Sequence, residues 1–245
     1  MINKINFNHY VVFFFIIYFL TGSLIFDDYL ITPDEELHRI NGLISLKYIL
    51  DLFSLSSNNL IDLQNIPDLY NDWRKTYGVL FDLPLSTFQF FFNINNQDIF
   101  LLRHFLVFLI FFVANIYFYC LLKKRFENEQ LAFLGVLILA STPRIFSHSF
   151  FNSKDILFLS LMVISIFYCI KLLSRFNFKN LVLSCVFCAF ATNVRIIGIY
   201  LPILTFIFYF FLEKHYKKIS LSKFFILFFL IFFFILYLTW PFLWL

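Results

Sequence analysis

Six long apolar runs constrain this chain more than anything else in it. They are Tyr10–Phe26, Ile99–Leu122, Gln130–Phe146, Ile156–Leu173, Leu181–Leu212 and Phe224–Leu245. A membrane-spanning helix needs about 20 mostly apolar residues, and most of these runs are near that length. With 61% hydrophobic residues and a mean hydropathy of +0.83, no soluble domain could hide the apolar surface. The fold class read from this pattern is an all-α integral membrane protein. The 41 Phe, together with many Ile, Asn and Lys, read as AT-rich codon usage; in lipid, Phe and Leu are nearly interchangeable filler.

The run Leu181–Leu212 is too long for one span. At 1.5 Å per residue it would reach about 48 Å, against a hydrocarbon core of about 30 Å. It is interrupted by Thr192-Asn193-Val194-Arg195, with Gly198 and Pro202 close behind. It reads as a broken pair, spans 5 and 6, which brings the count to about seven. Charge supports that count. With the N-terminus inside, the inner segments hold 11 of the 19 basic residues and only Glu127, Glu129 and Glu213 of the 15 acids. This predicts a multi-pass inner-membrane protein with a cytoplasmic N-terminus. Span 1 could be taken for a signal peptide, but no A-x-A-like exit follows it, so a retained anchor is expected. Trp240 and Trp244 suit an aromatic belt, and an ending so close to the interface reads as a truncated or split reading frame. Cys120, Cys169, Cys185 and Cys188 all lie in apolar runs and read as buried, reduced thiols.

Between spans 1 and 2 lies a long acidic loop, residues 27–98, assigned to the outer side. Carboxylates packed where a helix leaves the bilayer are costly to place and suggest a reaction site. Thr32-Pro33-Asp34-Glu35 is a helix start: Thr as N-cap, Pro at the first position, Glu three residues after the cap. Leu37, Ile40, Leu43 and Ile44 then recur at helical spacing, which predicts an amphipathic helix on the membrane surface. The helix N-terminus favours an ionised Asp34, and His38 stands one turn away. Glu36 and Arg39 read as a solvated face, and capping alone would explain Glu35.

Two further constellations carry polar chemistry. After span 3, Arg144, His148, Asn152 and Asp155 would share one stripe if that stretch were helical, with Lys154 beside it. A solvated hairpin would also account for them. A divalent cation could use His148 and Asp155, but two ligands without a third define no site, and the sequence demands no cofactor. Arg195 interrupts an apolar stretch, so it needs a partner or snorkels to the interface. A guanidinium there suits a lipid phosphate. No Walker loop, dinucleotide fingerprint or zinc signature is present, and no basic face for nucleic acid.

In order and spacing these pieces resemble the N-terminal half of polytopic lipid-sugar glycosyltransferases of the protein O-mannosyltransferase and aminoarabinose-transferase type, the GT-C class. Asp34-Glu35 with His38 matches a D-E-x-x-H element. Tyr77-Gly78-x-x-Phe81-Asp82 resembles Y-G-x-x-F-[DN]. Asn152-Ser153-Lys154-Asp155 resembles N-P-K-D with Ser153 in place of Pro, and Asn193-Val194-Arg195-x-x-Gly198 resembles G-V-R-x-x-G with Asn193 departing from it. The resemblance implies inverting transfer of a sugar from a polyprenyl-phosphate donor to an acceptor at the outer face. It implies Asp34 as general base, with Glu35 orienting it, and Arg195 on the leaving phosphate, helped by Lys154. His38, Arg144, His148, Asn152 and Asp155 would line the substrate site. A lipid or anion transporter, and a non-catalytic fragment of a larger transferase, are the alternatives; donor sugar and acceptor stay open.

Overall fold

A computed structural model describes residues 8–54, 63–213 and 220–245. Among these residues the chain is helical, with no strand. The helices are α1 (His9–Ile25), α2 (Pro33–Leu52), α3 (Asp82–Phe92), α4 (Asn96–Phe126), α5 (Glu129–Ser141), α6 (Pro143–Phe151), α7 (Asp155–Ser174), α8 (Phe178–Val194), α9 (Tyr200–Glu213) and α10 (Leu221–Thr239). Lys4 and Lys214, Lys217 and Lys218, part of the charge argument, lie outside the described residues.

The 31-residue α4 is the mast of the bundle. It packs against α1, α3, α5, α6 and α7, and the layer continues from α7 to α8 and from α8 to α10. Its Val107, Phe108 and Phe111 are buried in the main core, where Phe108 stacks on Phe150 of α6 at 5.2 Å. Asparagine starts several helices: Asn95, Asn128 and Asn177 each accept a backbone N–H from the first turn of α4, α5 and α8. The abundant Asn therefore has a local structural use beyond codon bias.

By length and composition, Asn96–Phe126, Asp155–Ser174 and Ser222–Thr239 can each cross a membrane, and His9–Ile25, Phe178–Val194 and Ile196–Phe211 are shorter apolar helices. The break expected at Arg195 is present: α8 stops at Val194, and a 3-10 turn, Ile196–Ile199, precedes α9. All four cysteines are buried free thiols.

Two stretches differ from the expectation. Gln130–Phe146 is not one straight span: α5 ends at Ser141 and α6 leaves it at 62°. Pro143 has no N–H to continue the α5 ladder and instead occupies the first turn of α6. The last helix stops at Thr239, short of the expected Leu245, and the chain folds back through the turn Pro241–Trp244. Trp240 is buried instead of lying in an outer belt, and Trp244 donates its indole N–H to the Tyr237 carbonyl at 2.6 Å.

At one end of the bundle Asn8 and Lys123 both donate to Glu129, and Lys124 donates to Ser174. The start of α2, the 73–78 segment, the α6–α7 turn and the α8 end meet around a cleft. Gly22 sets how closely α1 approaches α4, because a Cβ there would lie 2.0 Å from the Phe108 ring. Gly22→Val is expected to destabilise the detergent-solubilised protein by about 1–3 kcal/mol, read as a lower melting temperature; an unchanged melt would show that this contact does not hold α1.

Candidate active site

The cleft has a volume of about 910 Å³. Its wall is built from the start of α2, the 3-10 turn Trp73–Thr76 with Tyr77 and Gly78, the α6–α7 turn, the α8 end and Trp240. These are the segments that carry the four sequence elements noted above, together with the chain end.

Beneath the cleft lies a buried charge cluster. Asp82, fully buried at the start of α3, accepts from Arg103 Nη2 of α4 at 2.6 Å and from Lys154 Nζ at 3.0 Å. Lys154 Nζ also donates to the Gly78 carbonyl at 2.7 Å. Burial alone would raise the Asp82 carboxyl, but the Lys154 and Arg103 charges outweigh it and hold it below the ordinary carboxylate value. The Arg103 guanidinium also lies over the Phe81 ring at 5.2 Å. One carboxylate thus joins α3, α4 and the α6–α7 turn.

Glycine is required where this loop meets α8. A Cβ on Gly78 would sit 1.7 Å from the Asn193 carbonyl oxygen. Asn193 closes the contact from its side: its Oδ1 accepts from the Leu80 N–H at 3.0 Å and its Nδ2 donates to the Thr239 carbonyl at 2.9 Å. The residue that departs from the G-V-R-x-x-G pattern therefore ties the loop to α8 and α10. Gly198 likewise lets the turn after Arg195 close on the Ala191 backbone.

The α2 N-terminus delivers the two predicted carboxylates to different surroundings. Glu35 is 2% exposed. It takes the Thr32 N–H at 2.8 Å, as the capping box predicts, and also the Thr32 hydroxyl at 3.1 Å, and its Oε1 lies 2.9 Å from Nε2 of His104. Asp34 is exposed on the cleft wall, and its carboxylate makes no hydrogen bond or ion pair with another described residue. His38 lies a turn further along and faces the Tyr77 ring at 6.5 Å. Burial, then the Lys154 charge and more weakly that of Arg103, pushes its imidazole down to about 4, against the opposing pull of Asp82 and Asp34. His38 is accordingly neutral near pH 7.

Arg39 is not solvated. It is 9% exposed, forks onto Glu36 at 2.9 and 3.0 Å, and donates to Gln89 at 3.1 Å. Gln89 in turn reaches Asn96 at 3.0 Å. Leu43, Leu46 and Leu50 cluster with Phe90 of α3. α2 is thus bound to α3 along much of its length, because its inward face offers both an apolar seam and a cation with buried acceptors.

The stripe drawn through Arg144, His148, Asn152 and Asp155 is broken by structure but partly reassembled by it. The helix stops at Phe151, and Asn152 bridges the turn, donating toward His148 Nδ1 at 3.0 Å and Asp155 Oδ2 at 3.1 Å. Its Oδ1 accepts the Lys154 and Asp155 N–H groups, so Asn152 starts α7. Arg195 pairs with Asp155 across the cleft mouth. Arg144 is exposed and stands away from the cleft lining. Among the described residues, no three His, Cys, Asp or Glu side chains converge to hold a metal.

Arg103, His104 and Asp82 escape a reading of local pattern, although Asp82 falls within the Tyr77–Asp82 resemblance. The available signal was an Arg-His pair at the head of an apolar run, since an ionisable residue entering a span needs a partner. Asp82→Ala is expected to cost about 3–5 kcal/mol, by leaving Arg103 and Lys154 buried without a counter-charge. It would be seen as aggregation or a much lower melting temperature, and a wild-type melt would overturn the cluster's role. His38, with its folded value below the unfolded 6.5, contributes stability above pH 6.5 that is lost as pH falls toward 4. His38→Gln should therefore flatten the decline in melting temperature over that window; an identical decline would assign it to other groups.

No curated protein and no solved structure matches this chain. Residues 86–244 match the family described as dolichyl-phosphate-mannose-protein mannosyltransferase. The matched stretch includes Lys154, Asp155, Asn193 and Arg195, and it leaves Asp34, His38 and Asp82 on the N-terminal side of it. With that match spanning most of its length, on an all-helical apolar bundle, the chain belongs to the dolichyl-phosphate-mannose-protein mannosyltransferase family of membrane glycosyltransferases.

Proposed function

We propose that this protein moves a sugar from a polyprenyl-phosphate carrier to an acceptor hydroxyl in the cleft, on the outer side of the membrane, with inversion at the anomeric carbon. The observation that carries the reading is an uncommitted carboxylate, Asp34, sharing one cleft with the guanidinium of Arg195. In this reading Asp34 takes the proton from the acceptor hydroxyl as its oxygen bonds to the anomeric carbon. The bond from that carbon to the phosphate oxygen breaks, and the phosphate departs with the electron pair. Transfer to a hydroxyl needs a base within reach of its proton, and a carboxylate on the cleft wall supplies one. Arg195 exchanges Asp155 for the leaving phosphate, a trade within reach because that ion pair is half exposed.

The remaining residues position these two. Glu35 caps the helix that carries Asp34 and is itself anchored by His104. Neutral His38 offers the acceptor a hydrogen bond without competing for the proton. Lys154 is turned toward Gly78 and Asp82, so it holds the loop and adds positive field, with Arg195 making the phosphate contact. The family's description names mannose on dolichyl phosphate and a protein acceptor, which makes dolichyl-phosphate mannose with a Ser/Thr-rich peptide the first pair to assay. Asp34→Asn should lower the transfer rate by about 10²–10⁴-fold while donor binding persists. Transfer equal to that of the unsubstituted protein would remove Asp34 from the base role.

A further inference from the structure

The turn Trp73–Thr76 is braced far more firmly than a loop connection requires. Asp72, 7% exposed, accepts from the Arg74 N–H at 2.8 Å, from its Nε at 2.8 Å and from Nη2 at 2.6 Å. From the far end of the chain, Trp240 donates its indole N–H to the Lys75 carbonyl at 3.4 Å. Asn41 of α2 donates to the Tyr77 carbonyl at 3.2 Å. All this holds in place an indole that is itself 63% exposed, on the wall of the cleft. Tyr77 stands against it edge-on, 5.9 Å away with the ring planes at 80°, and His38 backs Tyr77. The two aromatic faces form a corner.

A bare indole on a rigid support loses favourable apolar contact unless something covers it. Its surroundings are polar: Thr32, Asp34 and Arg74 line the same cleft. A ligand that fits both has an apolar face and a polar rim. A pyranose ring has that shape: one face of polarised C–H bonds to lie on the π-cloud, and a periphery of hydroxyls. Pre-set aromatic surface also binds at little conformational cost.

We propose that Trp73 and Tyr77 form a stacking corner that holds a sugar ring in the cleft and orients it toward Asp34. The proposal rests on the transfer reading above for its context, but the binding it describes needs no turnover. The ring could be the donor's own sugar or a sugar already on the acceptor, and the two are separable by kinetics.

The test uses the protein in detergent with Trp244→Phe, which keeps the Trp240 brace, and takes the Trp73 signal as the difference in emission from the matched protein that also carries Trp73→Phe. Methyl α-mannopyranoside and dolichyl-phosphate mannose are titrated separately while Trp73 emission is followed. A saturable change with either ligand, abolished by Asp34-independent removal of the platform in Tyr77→Ala, supports the corner. In the otherwise unsubstituted protein, Trp73→Ala should raise one KM by roughly 10-fold with kcat little changed, and Trp73→Phe should restore most of it. A raised donor KM places the donor's sugar there; a raised acceptor KM places the acceptor's. If emission ignores both ligands yet is quenched by bromine-labelled lipid chains in vesicles, Trp73 is a membrane anchor and the proposal fails. Because emission reports binding alone, a transfer-dead protein that still binds sugar refutes the reaction scheme and leaves the corner intact.

Discussion

One buried carboxylate sets the geometry on which the cleft depends. Asp82 lies between two cations from different parts of the chain, Arg103 on α4 and Lys154 before α7. Taking three charges out of water is unfavourable, and only close mutual contact repays the loss. That requirement leaves little freedom. The head of α3 must sit against α4, and the α6–α7 turn must lie close enough for Lys154 to reach both Asp82 and the Gly78 carbonyl. Once these are in place, Gly78 can press on Asn193, and the α8 break falls beside the loop. The cleft is therefore a by-product of satisfying a buried charge cluster at the end of a lipid-facing bundle.

Around it, the site divides its polar groups into those already committed and those left free. Glu35, Arg39, Asp82, Lys154 and Asn193 each bond one element to another, and Asp72 is bonded within its own turn. Asp34 is uncommitted, and Arg195 is bound only through an exposed pair. Adjacent residues Asp34 and Glu35 differ for a simple reason: at a helix start the third residue after the cap points back toward the cap, while the residue before it points outward. The helix geometry thereby separates a structural acid from a free one, with no difference in chemistry between them.

The apolar runs made most of the helices legible, because their length and their interruptions are local properties. The break at Arg195 and the cap at Thr32 were legible for the same reason. What sequence could not show was pairing at a distance. Arg39 reads as solvated because its buried partner Gln89 is 50 residues away, and the Glu35–His104 contact spans 69 residues. Trp240 reads as an interfacial anchor because nothing near it signals that the chain turns back onto the 73–76 turn. Pro143 did carry a visible signal, and the 62° bend after α5 is its consequence. A hydropathy window averages over such a residue, while the hydrogen-bond ladder does not.

The contact from Trp240 to Lys75 has a mechanical consequence. α10 is largely bare of protein on its outer side, with Phe225, Leu230, Phe233 and Phe234 all exposed. Where such an apolar face meets lipid, a helix adjusts its tilt to the thickness of the hydrocarbon around it. Here the end of that helix is bonded to the turn that presents Trp73, and Thr239 is bonded to Asn193 beside Arg195. Both walls of the cleft are thus tethered to the same rod. A tilt of α10 would therefore pull on both walls of the cleft at once, through Thr239 on one side and Trp240 on the other.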